Sequence, residues 1–157
     1  MFLLNRTDKI NYYLDIAQTV AQRSTCLRRK YGAVIVKNDE IISTGYNGAP
    51  RGCTNCSDLG KCKREELNIP SGERYELCRS VHAEQNAIIS ASRRDMQGAT
   101  LYLAGIDAKT NKVLDVAEPC SLCKRFILNS GITHVVMRNG KTQDIVETSI
   151  WRLLDII

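Results

Sequence analysis

Cysteine is the residue type that most constrains this chain. The 157-residue sequence contains seven cysteines, and five of them fall between positions 26 and 78. Their odd number argues against a complete disulfide framework. The stretch from Met1 to Asp8 has no basic region and reaches polar residues at once, so we expect no signal peptide and a cytosolic protein. Because disulfides do not persist in the cytosol, the sequence predicts that cysteines hold metal.

Composition narrows the class of protein further. Hydrophobic residues make up 43% and charged residues 25%, close to globular averages, and the length suits one domain over residues 1–157. Apolar runs such as 33–36 are far shorter than the roughly 20 residues of a membrane span, so we expect no membrane contact. The net charge of +5 suits an anionic partner such as a nucleotide phosphate, and equally a basic solvated surface.

The hydrophobic pattern predicts an α/β domain. Apolar residues at helical spacing predict a helix over 8–29, which Asp8 can cap. Two apolar runs around a turn predict a β-hairpin with strands at 31–36 and 41–46. Strands alternating with helices after such a hairpin indicate a mixed sheet with helices on both faces. The later elements are a helix at 82–93, strands at 100–105 and 113–116, a helix at 120–129, a strand at 133–138, and a helical or extended end at 144–157.

The segment 47–80 breaks all periodicity. It contains four cysteines together with Gly-Ala-Pro, Arg-Gly and Ile-Pro-Ser-Gly. A loop of this length without regular structure is unusual in a compact domain unless something ties it down. We therefore treat it as a Cys-rich insertion that a metal ion holds together.

Two short segments carry the residues of a catalytic metal site. They are His82-Ala83-Glu84 and the run from Pro119 to Cys123, and each is predicted to begin a helix. Cys120 and Cys123, three residues apart, lie on one side of a first turn, where the partial positive charge of the helix favours thiolates. With His82 they supply one nitrogen and two sulfurs. This ligand set suits zinc and leaves its fourth position open for water, which is typical of catalytic sites.

Glu84 is not needed as a ligand and is available for proton transfer. Zinc lowers the pKa of water towards about 7, and Glu84 can take the water's proton and return it to a substrate nitrogen and the leaving group. The order His-x-Glu, then Pro-Cys-x-x-Cys, matches the signature of zinc deaminases. The sequence therefore predicts hydrolytic loss of ammonia from a ring carbon. A structural zinc site with a spectator glutamate is the alternative.

The chain resembles a known family in more than these ligands. Gly-Tyr-Asn-Gly-Ala-Pro at 45–50, the cysteine-bearing insertion, and the run Cys-Arg-Ser-Val-His-Ala-Glu-Gln-Asn-Ala-Ile at 78–88 resemble the deoxycytidylate (dCMP) deaminases, including a bacterial branch often labelled as a late competence protein. The resemblance covers about residues 8–138. It implies a cytidine deaminase-like three-layer sandwich and conversion of dCMP to dUMP and ammonia.

The resemblance also implies substrate contacts and regulation. Asn47 would contact the nucleotide's sugar, although Asn-Gly is also a common turn. Ser90 and Arg93 would read the phosphate, although Arg93 could be a surface side chain and Arg94 could serve instead. Family members are often oligomers, with hexamers switched on by dCTP and off by dTTP. We therefore expect a small nucleotide substrate, a homo-oligomer and these two effectors.

A second, structural zinc would account for most of the remaining cysteines. Matching the family position by position favours Cys26, Cys56, Cys62 and Cys78 as ligands, which leaves Cys53 spare. Spacing alone favours a Cys53/Cys56 pair, because Cys-x-x-Cys makes a standard metal knuckle. The two ligand sets differ in Cys53.

Two departures from the family limit how closely the substrate can be named. An extra hairpin at 104–117 would sit at the rim of the active site, and the chain after Arg138 is short. Another small base, nucleoside or nucleotide, such as dCTP or cytidine, is therefore the runner-up substrate. Nucleic acid is disfavoured because the basic clusters are small. A non-catalytic zinc-stabilised module is the remaining hypothesis, against which the intact Glu84 argues.

Overall fold

A mixed five-stranded sheet forms the centre of the computed structural model, which describes residues 5–155. The strand order is β2-β1-β3-β4-β5; β3 and β4 pair in parallel, and the other neighbouring pairs are antiparallel. The strands are β1 (Arg29–Lys37), β2 (Glu40–Tyr46), β3 (Thr100–Asp107), β4 (His134–Asn139) and β5 (Thr142–Glu147). Residues 1–4, part of the stretch that predicts no signal peptide, lie outside the described residues, as do 156–157.

One face of the sheet is covered by helix α1 (Lys9–Ala21). Asp8 caps it as predicted, accepting a hydrogen bond from the backbone N–H of Asn11 at 2.9 Å. The helix approaches the sheet closely because β1 carries a glycine. A Cβ on Gly32 would lie 1.9 Å from the backbone oxygen of Ala17. The core on this face consists of Tyr13, Ala17, Val34, Val36 and Ala104.

The other face is covered by α4 (Ala83–Ile89) and α6 (Ser121–Ser130). The hydroxyl of Ser43, on β2, donates a hydrogen bond of 2.7 Å to the backbone oxygen of Ala87, which ties α4 to the sheet. Apolar side chains of both helices pack with those of the sheet; the largest fully buried ones in this cluster are Ile35, Leu101, Leu103, Ile127 and Ile132. Helices on both faces of a mixed sheet confirm the predicted three-layer sandwich.

Two predicted helices are shorter than the pattern suggested. The helix predicted over 8–29 ends at Ala21, because the following residues leave it to meet the loop after β2, where the backbone N–H of Thr25 donates to the oxygen of Asn47. The helix predicted over 82–93 ends at Ile89. A new short helix, α5 (Arg93–Met96), then begins with a cap from Ser92, whose hydroxyl accepts from the N–H of Asp95 at 3.1 Å.

The irregular regions also differ from the prediction. The strand predicted at 113–116 is reduced to one bridge between Ile106 and Val113. The C-terminal region is both extended and helical, with β5 followed by α7 (Ser149–Leu153). The segment 47–80 contains α2 (Cys56–Leu59), α3 (Lys63–Glu66) and a 3₁₀ turn at Tyr75–Leu77.

No helix within residues 5–155 is both long enough and apolar enough to cross a membrane.

Candidate metal centre

The three predicted metal ligands meet at the starts of α4 and α6. His82 directly precedes α4 and Cys120 directly precedes α6, each with an extended backbone. The backbone N–H of His82 donates to Oε1 of Gln85 at 2.9 Å, which fixes where α4 begins. Cys123 lies in the first turn of α6 and is fully buried. Two helix N-termini packed on one face of the sheet therefore bring together residues that are far apart in the sequence.

The distances between the donor atoms fit a tetrahedral zinc ion. Nδ1 of His82 lies 3.5 Å from Sγ of Cys120 and 3.3 Å from Sγ of Cys123, and all three donors lie within 4.8 Å of one another. Zinc bonds of about 2.1 Å to nitrogen and 2.3 Å to sulfur place such ligands about 3.6 Å apart in a tetrahedron. The three residues can hold one zinc ion and leave its fourth position free.

The pKa values of the three ligands favour a thiolate at Cys120. The thiol of Cys123 donates a hydrogen bond to Cys120, which with the neighbouring His82 lowers the pKa of Cys120 to about 4 against the opposing effect of burial. The same hydrogen bond raises the pKa of Cys123. Burial lowers the pKa of His82, but its hydrogen bond to Cys120 and the charge of Glu84 outweigh this and raise it. The lowered pKa of Cys120 favours its thiolate, which is the form that binds metal.

Glu84 lies beside the ligands with its side chain buried. It is 4% exposed, and burial raises the pKa of its carboxyl group. The neighbouring Cys123 and His82 act in the opposite direction and lower the pKa of this carboxyl, but burial outweighs them. Glu84 lines the same cleft as His82 and Cys120. The carboxyl group is therefore placed to exchange a proton with a molecule bound at the centre.

The cleft also contains residues that sequence reasoning missed. Tyr75 packs edge-on against the ring of His82, with ring centroids 4.9 Å apart, and the guanidinium of Arg64 lies 4.6 Å above the ring of Tyr75. Arg29 and Tyr31 line the cleft from the start of β1. Arg64 and Tyr75 come from the irregular insertion, where no periodicity indicates which side chains point inwards.

Asn47 lines the cleft, but the backbone engages its amide. Its Oδ1 accepts from the N–H of Tyr31 at 2.8 Å and its Nδ2 donates to the oxygen of Arg29 at 2.9 Å. These bonds hold the start of β1 against the end of β2. The predicted contact with a sugar stays a prediction, and the observed role is that of a residue bracing two strands.

Ser90 and Arg93 are not brought to this cleft. Ser90 is the C-terminal cap of α4, whereas Glu84 lies in the first turn of that helix. Arg93 donates from Nε to the backbone oxygen of Asn129 at 3.0 Å and lines a separate groove with Phe126. Their predicted role in reading a phosphate stays a prediction.

Four of the remaining cysteines surround a second cavity. It is lined by Cys26, Cys56, Cys62 and Cys78, while Cys53 is exposed and does not line it. Burial first, and then the charges of the other three, raise the pKa of Cys56. Within residues 5–155, however, no three of these sulfurs lie within 4.8 Å of one another. The residues are gathered, but they are not in ligand positions.

The fold and the first centre together define a class of protein. A histidine, two cysteines and a buried glutamate at two helix starts on one face of a mixed sheet are the arrangement of zinc-dependent hydrolases that deaminate bases. In agreement, the model of the family described as "Cytidine and deoxycytidylate deaminase zinc-binding region" matches residues 7–139.

Individual relatives narrow the class. The chain is 41% identical over 137 residues to the deoxycytidylate deaminase of Mycobacterium phage D29, covering 85% of this chain and 96% of the relative. It is 35% identical over 135 residues to that of Schizosaccharomyces pombe, covering 85% of this chain but 38% of the relative. The dCMP deaminase of cyanophage S-TIM5, solved in complex with dCMP and dUMP, is 28% identical with a TM-score of 0.58, covering 87% of this chain and 85% of that one.

The chain therefore belongs to the cytidine and deoxycytidylate deaminase family. The likeness to the late-competence branch stays a prediction.

Proposed function

We propose that this protein hydrolyses dCMP to dUMP and ammonia in pyrimidine deoxynucleotide metabolism. The observation that carries the proposal is the buried Glu84 beside the donor cluster of His82, Cys120 and Cys123. A purely structural zinc site has no use for a buried carboxyl group facing the cleft. The name of the phage D29 relative and the nucleotides bound to the cyanophage enzyme support dCMP as the substrate.

The roles of the residues follow from their positions. A zinc ion held by His82, Cys120 and Cys123 would lower the pKa of a water molecule to about 7. Glu84 would take a first proton from the water molecule and deliver it to the ring nitrogen. It would then take the second proton from the oxygen that has added to the ring carbon and deliver it to the departing amino group, which leaves as ammonia. The burial of Glu84 keeps this carboxyl out of bulk solvent during both transfers.

A second zinc ion at Cys26, Cys56, Cys62 and Cys78 is part of the proposal. The four side chains line one cavity, and the exposure of Cys53 supports its exclusion from the ligand set. Four thiolates would close the coordination shell, as in structural sites. Because the sulfurs are too far apart in this structure, binding would draw the insertion inwards.

A homo-oligomer, with dCTP and dTTP as effectors, is also proposed. Large apolar side chains of Ile89 and Phe126 are exposed near the groove that contains Arg93. Contact with a second copy there would cover them and could bring Ser90 and Arg93 to a nucleotide. Asn47 remains the candidate for the sugar contact. We also propose a cytosolic location, because six of the seven cysteines are assigned to metal binding rather than to disulfides.

Ammonia release from a panel of substrates tests the proposal. The zinc-loaded protein is assayed with dCMP, dCTP, deoxycytidine and cytidine, each with and without dCTP or dTTP as effector. Turnover of dCMP far above the others is expected. The segment 114–116 borders the mouth of the cleft beside Tyr75, so turnover of another compound instead would assign specificity to that segment. No turnover of any compound would contradict the enzyme and favour a zinc-stabilised module.

A further inference from the structure

Arg64 is a buried cation without an anionic partner. The residue is 7% exposed, and no carboxylate within residues 5–155 lies within 4 Å of its guanidinium. Neighbouring cations differ in this respect: Arg28 forms an ion pair with Glu65 at 3.3 Å. Burying a charge without a counter-charge is costly, so such a residue calls for an explanation.

The hydrogen bonds of Arg64 leave part of the guanidinium unused. Its Nη2 donates to the backbone oxygens of Pro70 and Glu73, each at 2.9 Å, which holds the group in place. Nε is buried and has no partner in the described part of the chain, and no hydrogen bond there engages Nη1. Two neutral carbonyl groups fix the orientation of the cation and do not neutralise it.

The position of Arg64 links it to the metal centre. The guanidinium stacks on Tyr75, and Tyr75 contacts His82. Arg64 lines the cleft that holds His82 and Glu84, and it also borders the cavity of the four cysteines. A ligand in the cleft thus meets a fixed, unpaired cation on the wall formed by the insertion. A guanidinium is the side chain best suited to hold a phosphate.

We propose that Arg64 is a specificity-determining residue that supplies the counter-charge for the substrate's phosphate. The inference rests on the proposed function and deepens it, because it explains why a nucleoside monophosphate is preferred over a nucleoside. It differs from the assignment of the phosphate to Ser90 and Arg93, which lie outside the cleft. The insertion then has a role in recognition as well as in metal binding.

The test compares Arg64→Gln with the unmodified protein. Because a hydrogen bond to a charged group is lost, KM for dCMP should rise about 10- to 100-fold while kcat changes less than about threefold. Inhibition by dUMP should weaken by the same factor, whereas inhibition by deoxyuridine, which lacks the phosphate, should not change. Arg64→Lys keeps the positive charge but not the guanidinium's ability to donate two parallel hydrogen bonds. Its KM for dCMP should therefore lie between those of Arg64→Gln and the unmodified protein.

Arg79→Gln is the matched control. Arg79 borders the cavity of the four cysteines but does not line the cleft, so its loss should leave dCMP kinetics unchanged. If Arg64 only balances the thiolates of that cavity, both variants will lose zinc, and Arg64→Gln will affect dUMP and deoxyuridine equally. That result, or unchanged kinetics in Arg64→Gln, overturns the inference.

A measurement on the unmodified protein covers the case in which the variants do not fold. Hydrogen–deuterium exchange of residues 63–75 should slow more with saturating dUMP than with saturating deoxyuridine, and equal slowing refutes the role of Arg64. Failure of the two proposals is distinguishable. Absence of dCMP turnover by the unmodified protein refutes the proposed function and this inference with it, whereas turnover with unaltered selectivity in the variant refutes the inference alone.

Discussion

The two cysteine clusters of this protein differ in how well they are formed without metal. The donors of His82, Cys120 and Cys123 lie within 4.8 Å of one another. The second cluster, at Cys26, Cys56, Cys62 and Cys78, surrounds an open cavity instead. The first is placed by two helices that pack on the sheet, and the second by loops and helices of four residues.

The difference shows what each cluster depends on. At the first centre, α4 and α6 are fixed by packing in the hydrophobic core. This packing offsets the conformational entropy that is lost when the ligands are brought together. At the second, the fixed elements supply little and the metal itself has to order the insertion. Changes at the first centre should therefore affect chemistry, and changes at the second should affect stability.

The largest effect is expected at Glu84. Glu84→Gln keeps the size of the side chain and removes its ability to accept a proton, so ammonia release from dCMP should fall about 10²- to 10⁴-fold. Zinc content, measured by atomic absorption, should stay the same because Glu84 is not a ligand. A variant that keeps full activity would show that the buried carboxyl is a spectator.

The next largest effect is expected in the insertion. Cys62→Ser removes a proposed ligand, so one zinc ion per chain should be lost and the free energy of unfolding should fall by about 4 kcal/mol, or about 8–16 °C in Tm. Proteolysis should then cut within 47–80. Cys53→Ser is the control, because Cys53 is exposed and outside the cavity, and it should change none of these. Equal effects of both substitutions would put Cys53 in the ligand set.

The contrast between the clusters also determines what could be predicted from the sequence. The three-layer fold and the first centre follow from periodic elements and from short motifs at helix starts, and the structure places His82 and Cys120 at such starts. Arg64 and Tyr75 could not be predicted, because their burial depends on contacts across an aperiodic loop.

The ends of two helices and one strand also differ from those that the sequence predicts. The predicted helices run past Ala21 and past Ile89, but tertiary hydrogen bonds and a new cap at Ser92 end the two helices earlier. The pattern at 113–116 is that of a strand, yet the segment has only one bridging partner, to Ile106. Local preference alone therefore does not decide these boundaries: a distant hydrogen bond ends the first helix, a local cap starts a new helix after the second, and the predicted strand lacks a pairing partner over most of its length in the described residues.

A smaller effect is expected from substituting the glycines at which helices approach the two faces of the sheet. A Cβ on Gly45 would lie 2.3 Å from the backbone nitrogen of Ala87, and a Cβ on Gly32 would lie 1.9 Å from the oxygen of Ala17. Gly45→Ala and Gly32→Ala should each reduce the free energy of unfolding by about 1–3 kcal/mol. Only Gly45→Ala displaces α4, so only it should weaken zinc binding, by about tenfold. Equal zinc affinities, from competition with a chelator, would contradict this.

The smallest effect is expected at a hydrogen bond that borders neither of the two clusters. The hydroxyl of Tyr13 donates a hydrogen bond of 2.5 Å to Oδ1 of Asp39, and this bond, with burial, raises the pKa of Tyr13 to about 12. The folded state therefore holds this proton more tightly than the unfolded chain, whose tyrosine pKa is about 10. The stabilisation is complete below pH 10 and is lost as the pH rises through 12.

Thermal unfolding at pH 9 and pH 11.5 should consequently show a smaller fall of Tm in Tyr13→Phe than in the unmodified protein. The phenylalanine variant has no phenol to ionise, so its Tm at pH 9 is lower but depends less on pH in this window. Tyr12→Phe is the matched control, since Tyr12 is exposed beside Tyr13 and donates no hydrogen bond within residues 5–155. An equal fall of Tm in Tyr13→Phe and the unmodified protein would mean that the bond to Asp39 does not contribute to stability. Zinc content should be unaffected throughout, because Tyr13 and Asp39 line neither the cleft nor the cavity of the four cysteines.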